Sequence, residues 1–209
     1  MSNYLSLKSV FFERRTFNEK MDFASGTRRI ELDLTETVIG TQEIYKGKIV
    51  HLRIDTIRQA DGREAKREVV AHRGATCIVP VTPDGNILFV EQFRLPAGKV
   101  LLEIPAGTLE EGEDPAFCAS RELEEETGFK AGNLKFLFSM YMAPGYCSEL
   151  IHAYLATDLQ SGQVNPDEGE NLELIAIPIQ EVEKMLERGQ FQDAKSIAAL
   201  GVALRLLKQ

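Results

Sequence analysis

Cysteine and histidine are scarce in this chain of 209 residues, basic residues are outnumbered by acidic ones, and long apolar runs are missing altogether. The three cysteines, Cys77, Cys118 and Cys147, are odd in number, widely spaced and set among apolar neighbours. They read as reduced core thiols, not as a disulfide framework or a thiolate metal site. The three histidines, His51, His72 and His152, are isolated from one another. No Ser–His–Asp set or glycine-rich phosphate loop accompanies them. Basic residues number 24 against 32 acidic ones, a net charge of −8, which argues against a general binder of nucleic acid or anionic membrane. A small phosphorylated substrate stays open, because metal ions can supply positive charge locally. No apolar run approaches the roughly 20 residues that span a bilayer. Lys8, Glu13, Arg14 and Arg15 occur early without an apolar signal core, so a cytosolic location is expected.

Against these shortages stands one dense stretch, Gly107 to Phe129. Asp114 can cap a helix, Pro115 suits its first position, and Gly128 can take the left-handed geometry that ends it. Between them Ala116, Ala119 and Leu123 form an apolar stripe at helical spacing. Glu122, Glu125 and Glu126 recur three and four residues apart, which stacks carboxylates on a different face. Each like-charge pair costs a few tenths of a kcal/mol, so something positive is expected there. Oxygen-only ligands suit a hard divalent cation, Mg2+ or Mn2+. Arg121, four residues before Glu125, is expected to pair with it and hold the preceding loop.

The flanking chain alternates strands with a few helices. Residues 1–41 form an extension in which Val10 to Met21 could be helical and Ile30 to Leu34 a short strand. From 42 to 209 the pattern is that of one domain, whose first part, to about residue 72, is an antiparallel strand pair around Asp61-Gly62. Strands are predicted at Thr76 to Val81, Ile87 to Phe93, Val100 to Ile104, Leu134 to Tyr141, Leu150 to Ala156 and Leu172 to Ile177. Helices are marked by Val182, Met185 and Leu186 and by Ile197, Leu200, Leu204 and Leu207. The fold class expected is α/β, a sandwich of helices on both sides of a mixed sheet (α/β/α), plus an N-terminal antiparallel strand region.

The central stretch resembles the signature of the Nudix hydrolases at every defined position. Gly107 is followed by Glu113, Arg121-Glu122, Leu123, Glu125-Glu126, Gly128 and Phe129 at the spacing of that signature. Further segments, Arg67 to His72, Val90 to Arg94, Leu102 to Gly107 and Pro144, look like its ADP-ribose pyrophosphatase branch. The resemblance implies a loop–helix–loop that binds Mg2+, with Mn2+ a possible substitute. The implied ligands are Glu122, Glu125 and Glu126, the carbonyl of Ala106, and Glu170 from a late acidic loop. Glu113 is implied to brace the loop. Glu125 and Glu126 are counted with the catalytic set, and Glu168 is implied as general base, with Glu168 and Glu170 interchangeable in role.

On the substrate side the resemblance implies Arg94 at the diphosphate, Arg67 from a neighbouring subunit of a homodimer, and Glu103, Pro144 and Gly145 nearby. Ser148 and Glu149 are implied at the terminal ribose. The chain has no Trp, whereas some members of this family stack adenine on one, so Tyr45 or another aromatic is expected in its place. The activity implied is hydrolysis of ADP-ribose and related nucleoside diphosphate sugars to a nucleoside monophosphate and a sugar phosphate. Two alternatives remain: preference for another sugar nucleotide such as GDP-mannose, and a non-catalytic ADP-ribose sensor. The sensor is disfavoured by the intact signature and by the lack of a basic helix-turn-helix segment.

Overall fold

The computed structural model describes residues 17–21, 28–163 and 171–208. The chain forms two compact units, one ending at Ala71 and the other starting at His72.

In the first unit Phe17–Met21 (β1) and Arg28–Leu32 (β2) pair antiparallel, with Glu19 opposite Ile30. Helical periodicity over Val10 to Met21 is therefore overruled at 17–21, where ladder pairing with β2 satisfies the backbone; the rest of that prediction lies outside the described residues. Glu36–Lys46 (β3), His51–Gln59 (β4) and Glu64–Ala71 (β5) form an antiparallel sheet in that order. The β4–β5 turn contains Gly62 at φ 85°, a left-handed position suited to glycine. The carboxylate of Asp55, buried in β4, accepts from the Thr41 hydroxyl at 2.8 Å and from Arg53 Nε at 2.9 Å, so a charge inside the sheet is paired.

The second unit contains Ala75–Pro80 (β6), Asn86–Arg94 (β7), Lys99–Glu103 (β8) and Ala106–Thr108 (β9), then the helix Pro115–Thr127 (α1). Phe129–Lys130 (β10), Asn133–Tyr141 (β11), Leu150–Thr157 (β12), Gln160–Ser161 (β13) and Leu172–Pro178 (β14) follow. Ile179–Glu187 (α2) and Ala194–Leu207 (α3) close it. One sheet has the order β11-β12-β6-β9, with β12 and β6 parallel and the other pairs antiparallel, so it is mixed. A second sheet, β14-β7-β8, is antiparallel.

Neighbouring residues of β6 serve two cores, because successive strand side chains point to opposite faces. Cys77 and Val79 pack with Val182 of α2 and Ala199 and Leu200 of α3, whereas Ile78 packs with Ala119 and Leu123 of α1. Helices thus cover the sheet from both sides, the α/β/α arrangement expected. This double burial explains why β6 reads as an unbroken apolar run, since both faces lose water. No helix among the described residues is long and apolar enough to cross a membrane.

Candidate active site

Helix α1 carries the cluster, and local chemistry sets its ends. The Asp114 carboxylate accepts from the backbone N–H groups of Ala116 at 2.9 Å and Phe117 at 3.1 Å. Pro115 follows, and Gly128 stands at φ 74° with its N–H on the Glu124 carbonyl. Ala119 and Leu123 are fully buried, which turns the glutamate face toward β9 and the preceding loop.

The positive partner of that face is Arg121. Its Nε and Nη2 pair with both oxygens of Glu113 at 3.0 and 3.1 Å, and its Nη1 donates to Glu122 at 2.7 Å and to Glu125 at 2.9 Å. The contact with Glu125 was expected; that with Glu122 was not. Glu113 also accepts the Glu110 N–H at 2.8 Å, which closes the loop on itself. The Arg121 guanidinium holds the Glu113 carboxyl below the usual range, and Glu113 raises Arg121 in return.

The other glutamates meet the backbone. Glu126 is buried and accepts the Ala106 N–H at 3.2 Å. Glu122 lies so close to Gly107 that a Cβ there would stand 1.8 Å from its carboxylate carbon. Only glycine allows that approach. Glu122, Glu126 and the Ala106 peptide are thus gathered at one strand end, an oxygen donor set whose chemistry fits a hard cation. Among the described residues no group of three or more His, Cys, Asp or Glu already converges as a cage; Arg121 holds two of the carboxylates instead. Glu168 and Glu170 lie outside the described residues.

Arg94, at the end of β7, donates from Nε and Nη2 to the two oxygens of Glu103, both at 2.8 Å. Glu103 is buried, and Lys195 Nζ bonds it as well. Burial would raise the Glu103 carboxyl, but Arg94 and Lys195 hold it below the usual range. Both its oxygens are occupied, so Glu103 grips Arg94 in this structure and does not line an open surface. Pro144 and Gly145 are exposed in a turn closed by the Cys147 N–H on the Ala143 carbonyl at 2.8 Å. The Ser148 hydroxyl accepts the His72 N–H at 2.9 Å and donates to the His72 carbonyl, while Glu149 stands 3.9 Å from His72 Nε2. In the first unit, Arg67 is paired with Glu36 at 3.0 Å and Tyr45 is exposed on β3.

An open cleft of about 730 Å3 runs along α1, lined by Phe117, Arg121, Glu125, Lys130 and Gln163 among others. Phe117, Lys130 and Lys195 were not singled out from the sequence. Lys195 had one usable signal, its place two residues after Asp193, the cap of α3.

The signature helix, its glycine-backed glutamate and the sandwich that carries them define a class: the chain belongs to the Nudix family. Residues 71–200 match the NUDIX domain, and residues 36–70 match the nucleoside diphosphate sugar hydrolase N-terminal domain. The chain is 37% identical to an ADP-ribose pyrophosphatase of Bacillus subtilis, over 80% of this chain and 91% of that protein. It is 38% identical to a methanol dehydrogenase activator of Bacillus methanolicus, over 79% and 90% respectively. A solved structure described as an ADP compounds hydrolase superposes with a TM-score of 0.76 at 26% identity, covering 85% of this chain and 97% of that one.

Proposed function

We propose that this protein is a cytosolic, Mg2+-dependent pyrophosphatase that hydrolyses ADP-ribose, and related nucleoside diphosphate sugars, to AMP or its counterpart and a sugar phosphate. The observation that carries the reading is the approach of Glu122 to Gly107 beside the Glu126 contact to the Ala106 N–H. It brings two carboxylates and the Ala106 backbone to one edge, where no side chain on residue 107 interferes. Similarity to an ADP-ribose pyrophosphatase along most of both chains supports the substrate class.

In this reading Glu122, Glu125 and Glu126, the Ala106 carbonyl and Glu170 hold the cation. When bound, it neutralises diphosphate oxygens and makes water more acidic. Arg121 releases its share of Glu122 and Glu125 and keeps Glu113. Arg94 pairs with a diphosphate oxygen through donors that Glu103 does not use. Glu168 accepts the proton of the attacking water; the water oxygen bonds to one phosphorus, and the bridging P–O bond breaks, its electrons leaving with the other phosphate. Glu168 and Glu170 could exchange these roles. Pro144, Gly145, Ser148 and Glu149 border the ribose. The Ser148 contacts to His72 suit it to holding that loop.

The protein acts as a homodimer in this proposal, with Arg67 and Tyr45 serving the partner's substrate. Val38, Ile39, Ile44, Ile49 and Val50 are exposed in the first unit, apolar surface that a second copy would cover. Sedimentation at equilibrium should return the mass of two chains.

Product analysis with a panel of nucleoside diphosphate sugars tests the activity. AMP and ribose 5-phosphate from ADP-ribose with Mg2+ are expected. Cleavage of GDP-mannose alone would move the substrate, and no product with any divalent metal would overturn the reading.

A further inference from the structure

A second charged cluster sits where β8 meets the start of α3, and its outer member, Arg94, feels the charge of Glu126 on the glutamate face. Glu103 and Lys195 are 2% and 7% exposed. Lys195 Nζ bonds Glu103 Oε2 and, at 2.9 Å, Asp193 Oδ2. Asp193 in turn caps α3 by accepting the Ser196 N–H at 3.0 Å, and the Ser196 hydroxyl accepts the Ile104 N–H at 2.9 Å. The outer member is Arg94, whose side chain is 42% exposed and whose bidentate grip on Glu103 is the exit of the chain to the surface.

Burying two charges, Glu103 and Lys195, is costly, and an apolar replacement of similar volume is often as stable, so stability alone is weak grounds for the cluster. Its geometry has another effect. Arg94 Nη2 from β7 and Lys195 Nζ from α3 bond the same Glu103 oxygen, Oε2. Lys195, itself held by Asp193 at 2.9 Å, thereby fixes the carboxylate that Arg94 grips. The orientation of the guanidinium is thus coupled to α3, and Nη1 keeps donors that Glu103 does not use.

We infer that Lys195 is a positioning residue: acting through Glu103, it presents the Arg94 guanidinium to the diphosphate of the substrate. The inference rests on the proposed activity and on Arg94 as a diphosphate contact.

The test is a double-mutant cycle on the full-length protein with ADP-ribose and Mg2+. Lys195→Met should raise KM about tenfold, the worth of one charge-assisted hydrogen bond, with kcat per folded molecule little changed. In an Arg94→Ala background, Lys195→Met should add nothing to KM. A purely structural lysine would instead lower melting temperature and active fraction and leave KM alone. Asp193→Asn, which retains a good helix cap but removes the charge behind Lys195, should give a smaller rise in KM, and it decides the matter if Lys195→Met does not fold. Unchanged KM in the decisive variant, or equal effects with and without Arg94, overturns the inference. If Arg94→Ala leaves KM unchanged, the diphosphate contact fails and the inference with it. If the wild type turns over no substrate, the activity fails, and the same cycle is read from the Kd of ADP-ribose by calorimetry, with the same outcomes deciding it.

Discussion

Glu122 approaches the backbone at Gly107 so closely that the space of a single methyl group, 1.8 Å from its carboxylate carbon, is already taken. The atom displaced by any added side chain is the tip of a flexible glutamate, and the core behind it is untouched. Gly107→Ala should therefore fold with a melting temperature near that of the wild type while kcat/KM falls about a hundredfold, the scale of a misplaced catalytic group. Calorimetry and steady-state kinetics on one preparation check both halves.

Glu126 accepts the Ala106 N–H, and a glutamine oxygen can do the same. Glu126→Gln should keep the fold but lose about a hundredfold or more in kcat, because the amide cannot offer a cation the same charge. Chelation of the wild type should abolish turnover, with Mg2+ or Mn2+ restoring it; the variant should recover little at any metal concentration. Titrating activity against added metal separates the two.

Glu113 is braced by Arg121, and its carboxyl sits below the unfolded value of 4.5. A depressed carboxyl contributes stability that is present above the unfolded pKa and is lost as pH falls through the folded one. Melting temperature should accordingly drop as pH is lowered from about 4.5. Glu113→Gln should have a lower melting temperature at neutral pH and a shallower acid decline. Melting curves from about pH 3 to pH 7 provide the comparison.

Burial pushes the Cys77 and Cys118 thiols up to about 12, while Cys147 is only half-buried. The thiolate is the reactive form. A thiol reagent at neutral pH should label Cys147 first in the native protein and reach Cys77 and Cys118 only on unfolding, with peptide mapping assigning the sites.

Much of α1 was legible because its signals are local: a capping carboxylate, a proline, a terminal glycine and an apolar stripe all lie within the helix or one residue beyond it. The run in β6 was equally plain, although its parallel pairing with β12 joins strands some seventy residues apart and carries no periodic mark. The full extent of β3 was not legible, since the strand is exposed along its length and interrupted by register shifts after Val38 and Glu43. An alternating pattern arises only where one face is buried.

The sequence by itself determined the helix, its glutamates and the glycine they need, because backbone preference and spacing act over a few residues. Tertiary structure decided which charges meet. Arg121 reached Glu113 and Glu122 as well as its helical neighbour Glu125, and Lys195 met Glu103 across 92 residues. Contacts of that kind follow from how β8, α1 and α3 pack, and packing is a property of the whole core.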